Sequence, residues 1–387
     1  MINFRLLVTV IVTFSCALFT PARTSAQDSS RLRISLITCT PGDQLYSIFG
    51  HSAIRIIDST SLTDYVYNYG TFNFEDEGFY LKFVRGQLDY YISLDMFSNF
   101  MYAYRVENRG ITEQVLELTQ DEKLTLRSYL NENLKEENKY YKYDFFFDNC
   151  TTRLRDLLLE FKKPAPDFPP VMPEGTRFRE AIHLYLDKGQ QYWSKLGIDI
   201  LLGAPTDAIM TPAQQQFLPD NLMYSVDSAG NLKLVKTKIN LFQPTIPDYS
   251  GFRITPGIFF SFLFALMLMM GLSRNKVALS FLHRLDGLIF FMTGLLGIVL
   301  CFMWFGTDHS MTKNNYNLLW AWPTHAIMAF LLNNRSAWVR KYWLASSIIL
   351  SALLLAWYFL PQSLNPALIP FVLLLIYRSY ARYKSLP

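Results

Sequence analysis

Cysteine and histidine are the scarce residues of this chain: four and five among 387. They are not spaced as metal ligands. No Cys-x-x-Cys or His-Glu-x-x-His occurs and no dense carboxylate cluster surrounds a histidine, so no metal is expected. There is no Gly-rich phosphate loop and no Gly-x-Ser-x-Gly elbow, which removes the nucleotide-binding and serine-hydrolase readings. The net charge is only +4, too mild to argue for a nucleic-acid partner. None of these patterns implies a cofactor. Internal repeats and low-complexity tracts are also lacking.

What the chain does have is hydrophobicity, unevenly spread. Arg5, then "LLVTVIVTFSCALFT" and the small residues Thr24 and Ala26, read as a secretory signal over 1–26. An uncleaved anchor is the alternative. Cys16 follows Phe14 and Ser15 with no leucine three positions upstream, which does not suit a lipid-attachment site. After residue 256 come five apolar stretches: Pro256–Leu272, Leu288–Phe305, Tyr316–Leu332, Trp343–Leu360 and Leu364–Tyr377. Most approach the roughly 20 residues needed to cross a bilayer. Their connections alternate in charge. Arg274, Lys276 and Arg284 lie in 273–284, Arg335, Arg340 and Lys341 in 333–342, and Arg378, Arg382 and Lys384 in the tail. Loop 306–315 has only Lys313, and 361–363 has no basic residue. The positive-inside rule then puts 27–255 outside, on the side to which the leader would deliver it. An exported domain lies in an oxidising compartment, where Cys39 and Cys150 could pair; Cys301, in an apolar run, reads as packing.

Within the exported region, "RISLITCT", "HSAIRIID", "DYVYNYG", "LDYYISL" and "GITEQVLEL" read as strands and "DMFSNFMYAYRVEN" as a helix. Thr119 with Glu122 forms a capping box before the Leu124, Leu126, Leu130 face. The pattern is α+β with a mostly antiparallel sheet. The proline-rich "KKPAPDFPPVMPEG" is a stiff connector, and 166–255 reads as a mostly helical extension next to the membrane. The organisation is therefore a leader (1–26), an α+β domain (27–165), the extension, and an all-α transmembrane bundle of about five helices (256–387).

One cysteine is placed for chemistry. In "FDNCTTRLRDLLLE", Asp148 or Asn149 caps a helix that begins at Cys150, with Leu154 and Leu157 or Leu158 on its inner face. A helix N-terminus favours the thiolate over the thiol, which suits a nucleophile. Backbone N–H groups around Asn149 and Thr151 are the candidate oxyanion donors. A nucleophile needs a base. Of the exported histidines, His183 in "AIHLYL" reads as core or interface, while His51 follows Gly50 at a strand start among small neighbours. Asn68, near the end of the next strand, is the candidate group to fix the imidazole tautomer; a turn-forming role before Gly70 is the alternative. In the outer loop "GTDHSMTKNNYNLLWAWPTHA", Asp308, His309, Asn315 and Asn317 either touch substrate or cap and bond at the interface.

A strand-borne histidine first and a helix-start cysteine later resembles a circularly permuted papain-like fold, with "DNCTT" similar to the Asn-Cys pair of the lecithin:retinol acyltransferase group. "TPGDQLYSIFGHSAIRI", "YNYGTFNF", "YDFFFDNCTTRLRD" and "TDHSMTKNNYNLLWAWPTH" together resemble the bacterial family with an Lnb-type N-terminal periplasmic domain and a multi-pass C-terminal half. That resemblance implies a Cys150–His51 pair with Asn68 behind it, on the periplasmic side of the inner membrane. It also implies a lipoprotein N-acyltransferase, whose partners are a phospholipid acyl donor and a diacylglyceryl-modified lipoprotein acceptor. The aromatic stretch 78–105 is either the lining of an acyl groove or core. Two rivals stay open: a cysteine peptidase or amidase acting on cell-wall peptide, and a non-enzymatic membrane-anchored binding protein.

Overall fold

A computed structural model describes residues 31–245 and 253–385. The expected leader, with Cys16, lies outside them. The exported part begins β1 (Leu32–Cys39), β2 (His51–Asp58), β3 (Thr63–Thr71), α1 (Phe79–Arg85), β4 (Asp89–Met96), α2 (Phe97–Val106), β5 (Ile111–Leu116), α3 (Gln120–Asn133), β6 (Tyr140–Lys142) and α4 (Cys150–Phe161). With β7 (Val235–Phe242) the strands make one seven-stranded sheet, in the order β6-β4-β3-β2-β1-β5-β7, with antiparallel pairing throughout.

The two-residue period of the strands decides what each face buries. Ile34 and Leu36 of β1, Ile54 and Ile56 of β2, and Tyr67 of β3 share one face. They pack against Leu126 and Leu130 of α3, and against Leu154, Leu157 and Leu158 of α4. The opposite face carries Ile37, Cys39, Ala53 and Val66 under Phe100 of α2. Arg55 also lies on that side. It is buried beneath Phe97, whose ring centroid is 3.3 Å from its guanidinium, and is neutralised by Asp64 and Glu113. A buried guanidinium left without these carboxylates would be strongly destabilising.

The extension contains α5 (Phe178–Lys188), α6 (Tyr192–Leu201), α7 (Pro212–Gln215) and α8 (Pro219–Asp227), but it is not wholly helical. Leu222 and Val226 of α8 enter the sheet core, and β7 pairs with the β5 edge. The strand signal was there to read: Val235, Thr237, Ile239 and Leu241 alternate with Lys236, Lys238 and Asn240. Lysines on an edge strand also discourage further pairing. The extension is centred on Arg179, buried with Asp199 and Asp207; His183 joins it, its Nε2 2.8 Å from Asp199 Oδ1. Asn365 of the tail donates to the other Asp199 oxygen at 2.8 Å, so this network also ties the extension to the bundle.

The tail comprises α9 (Pro256–Leu272), α10 (Lys276–Phe305), the short α11 (Thr324–Met328), α12 (Ala337–Ala356) and α13 (Ile369–Ser385). Among the described residues, two helices are long and apolar enough to cross a membrane, Lys276–Phe305 and Ala337–Phe359; Pro256–Leu272 is a shorter apolar helix. Two expectations change. The basic stretch 273–284 is mostly helix rather than loop, because Asn275 caps α10 by accepting from Val277 and Ala278 N–H. The run 316–332 is not one continuous helix. It is a 3₁₀ turn, α11 and a second 3₁₀ turn, with Pro323 at the start of α11. Near the basic end, Asp286 is buried and held by Arg378 and Arg382 of α13.

Candidate active site

The site forms at the end of the sheet where β2 begins and β3 finishes. Asn149 builds the helix start. Its Oδ1 accepts from the N–H groups of Thr151 and Thr152, both at 2.8 Å, and its Nδ2 donates to Phe145 O and Phe217 O. These bonds fix the first turn of α4 and hence the direction in which Cys150 leaves it. Two glycines in the left-handed region shape the backbone beside the site. Gly70 has φ +89°, and a Cβ there would lie 3.7 Å from Cys150 Cβ. Gly50, at φ +84°, has Cys39 O where its Cβ would be, at 2.7 Å, so β2 can turn into His51 only with glycine before it.

His51, Asn68 and Asp95 make a relay across β2, β3 and β4. His51 Nε2 lies 3.1 Å from Asn68 Oδ1, and Asn68 Nδ2 donates to Asp95 Oδ2 at 2.8 Å. A carboxylate only accepts, so it orients the Asn68 amide with its oxygen toward the ring. A neutral ring then carries its proton on Nε2, with Nδ1 as its free acceptor. On its other side the ring lies against Tyr104 of α2, 6.4 Å between centroids and nearly parallel.

Each member of the pair stabilises the charged form of the other. Burial works to raise the Cys150 thiol. The His51 charge and its interaction with the sulfur, the Ser52 backbone N–H and the Thr151 hydroxyl outweigh that and hold the thiol at about 7. Burial likewise works to lower His51, but the Cys150 thiolate and then Asn68 raise it above its ordinary value. Ser52 Oγ, on the opposite side of β2, is 3.1 Å from Thr151 Oγ1 and locks the strand to the helix start. Cys39, the cross-strand partner of His51, is a free thiol like Cys150. It is fully buried, and burial pushes it up to about 12.

Some expected residues are already committed. The Thr151 N–H goes to Asn149 and the Asn149 N–H to the Thr152 hydroxyl at 2.8 Å, so neither is available to an oxyanion. Asn315 and Asn317 are buried, and both donate to α6 carbonyls at Asp199, Ile200 and Leu201. Asp308 accepts from Gln87, its N–H donates to Arg85 O, and His309 Nε2 lies against Phe83 O and Val84 O. These four residues therefore lie at the joint between tail and exported domain. Asp95, Ser52 and Tyr104 are the neighbours that sequence reasoning missed. Among the described residues no group of three or more His, Cys, Asp and Glu side chains gathers as a metal site.

The molecule is thus a membrane-attached α+β domain presenting a paired thiol and imidazole at one end of its sheet. Two family models match it: the Lnb N-terminal periplasmic domain over residues 19–170 and the Lnb transmembrane domain over 248–386. The chain belongs to the Lnb-type lipoprotein N-acyltransferase family. It is a membrane protein with a periplasmic N-terminal domain, in a family of enzymes that act on lipoproteins. Searches of curated proteins and of solved structures return no match.

Proposed function

We propose that this protein moves an acyl chain from a phospholipid, through a thioester on Cys150, to the N-terminal amine of diacylglyceryl-cysteine lipoproteins. The observation that carries this reading is the thiol held at about 7 beside His51, in a domain clamped to a membrane tail. Cys150 thiolate attacks the ester carbonyl, and the C–O bond to the glycerol breaks. His51 gives its proton to the departing lysophospholipid oxygen, leaving an acyl-thioester and a neutral imidazole. The lipoprotein amine then attacks the thioester carbonyl. His51 takes the amine proton, the C–S bond breaks, and the thiolate–imidazolium pair is restored.

With the neighbouring amides committed, the Cys150 N–H is the backbone donor assigned to the oxyanion. The Tyr141 hydroxyl is a candidate second donor. It is buried without a hydrogen-bond partner and would lie 3.9 Å from a Cβ on Gly70. Asn68 and Asp95 position the ring rather than touch substrate. Inner-membrane placement and several spans belong to the same proposal, supported by the transmembrane-domain match over 248–386.

The test is mass spectrometry of lipoprotein N-termini from cells with the gene, without it, and with Cys150→Ser. An amide-linked acyl chain is expected only with the intact thiol. Full N-acylation with the serine variant would refute the reading. Unchanged lipoproteins together with altered cell-wall peptides would move it to a peptidase.

A further inference from the structure

We propose that α1 dips into the outer leaflet and that an aromatic column leads from it to Cys150, forming the route by which a phospholipid acyl chain reaches the sulfur. This rests on the acyl-transfer reading for its purpose, though not for its geometry.

Short as it is, α1 hides little. Phe79 is buried, but Tyr80, Leu81 and Phe83 are 77%, 62% and 50% exposed, and Lys82 and Arg85 are also exposed. Apolar side chains displayed this way, with basic residues among them, are the signature of an interfacial segment. Its height is set by the tail. Asp308 N–H donates to Arg85 O and His309 contacts Phe83 O and Val84 O, only a few residues beyond Phe305, where α10 ends. Trp304 and Phe305 stack at that end, and Phe305 is 74% exposed, as suits a membrane–water boundary. The exposed apolar side chains of α1 are therefore held beside the end of a helix long and apolar enough to cross a membrane, and lipid is the occupant that this placement selects.

The inner side of α1 starts a chain of rings. Phe79 lies 5.8 Å from Phe72, Phe72 lies 5.4 Å from Tyr90, and Tyr90 stacks on Tyr143 at 4.4 Å. Tyr143 and Cys150 flank Gly70, each 3.7 Å from the position a Cβ would take there. The column thus runs without a charged side chain in it from the bilayer boundary to the thiol. A methylene chain laid along it would stay out of water up to its carbonyl, and the basic residues of α1 would meet the lipid phosphate.

The test uses the full chain in vesicles of phosphatidylethanolamine and phosphatidylglycerol. Leu81→Cys, in a Cys150→Ser, Cys301→Ser background, carries an environment-sensitive dye. Quenching by lipids spin-labelled on the acyl chain is expected, and its absence overturns the membrane-dipping claim whatever the chemistry of the site. With Cys150 intact, Leu81→Asp/Phe83→Asp should slow acylation of Cys150 by bilayer phospholipid about tenfold or more. Acylation by soluble p-nitrophenyl butyrate should stay within about twofold of the unaltered protein, on the scale of small surface effects. Equal loss with both donors, or no loss with either, overturns the route. If the unaltered thiol accepts an acyl group from neither donor, the acyl-transfer reading fails, and with it the route, while the dye still decides the docking.

Discussion

Replacing His51 with Gln removes the leading influence that lowers the Cys150 thiol. With the imidazole present the thiol is held at about 7; without it, burial is opposed only by the Ser52 N–H and the Thr151 hydroxyl, and the group rises toward its ordinary 9.0. Two units correspond to about 2.7 kcal/mol of lost preference for the thiolate. At pH 7.4 the thiolate fraction then falls from about 70% to about 2%, near thirtyfold. A thiolate of higher pKa is intrinsically the better nucleophile, so a single-pH rate recovers part of that loss and understates the change. The position of the inflection is the proper readout. Alkylation of Cys150 by iodoacetamide, followed against pH, should rise through about 7 in the original protein and only above about 9 in the variant. Cys39 should stay silent because it is buried and its thiol lies at about 12. An unmoved inflection near 7 would show that the helix start alone makes the thiolate, and the pair would lose its basis.

Two further outcomes follow from the same geometry. Asp95→Asn allows the Asn68 amide to present either end to His51; acyl transfer should fall about tenfold while alkylation of Cys150 keeps its thiol inflection, since a hydrogen bond to a charged group is worth about 1.5–3 kcal/mol. Unchanged turnover would make Asp95 a bystander. Asn149→Ala leaves two helix N–H groups and two carbonyls without their partner, and should cost about 2 kcal/mol of exported-domain stability, read as a lower denaturation midpoint.

Elements specified by neighbouring residues were legible in the sequence. The Thr119–Glu122 box is present as expected, Thr119 Oγ1 and the Glu122 carboxylate each accepting the other's backbone N–H. The early strands are legible as short apolar and β-branched runs, and the sheet buries both of their faces. Membrane segments were harder. Hydropathy counts composition and does not see that Asn315 and Asn317 are captured by α6 carbonyls, or that Pro323 denies a continuous helix over 316–332. The extension left only its strand unread. Its helices are local, but the β7 partner is β5, more than a hundred residues earlier in the chain.

Of the site, the sequence showed the parts that chemistry requires and missed those that only folding brings together. A capped cysteine and a histidine after glycine are visible as local patterns. The Asp95 contact with Asn68 spans 27 residues and exists only because β3 pairs with β4 in a register that sets Asn68 opposite Ser93. Long-range contacts also give the outer loop its meaning. Polar residues beside a membrane look like ligands when read alone. In the fold, Ser310 donates to Asp144 at 3.0 Å, six residues before Cys150, and Asp308 and His309 hold the end of α1. Such contacts leave the exported domain little freedom to rise or tilt. Under the proposed acyl transfer, these contacts would hold the nucleophile at a constant height above the lipid from which the donor comes.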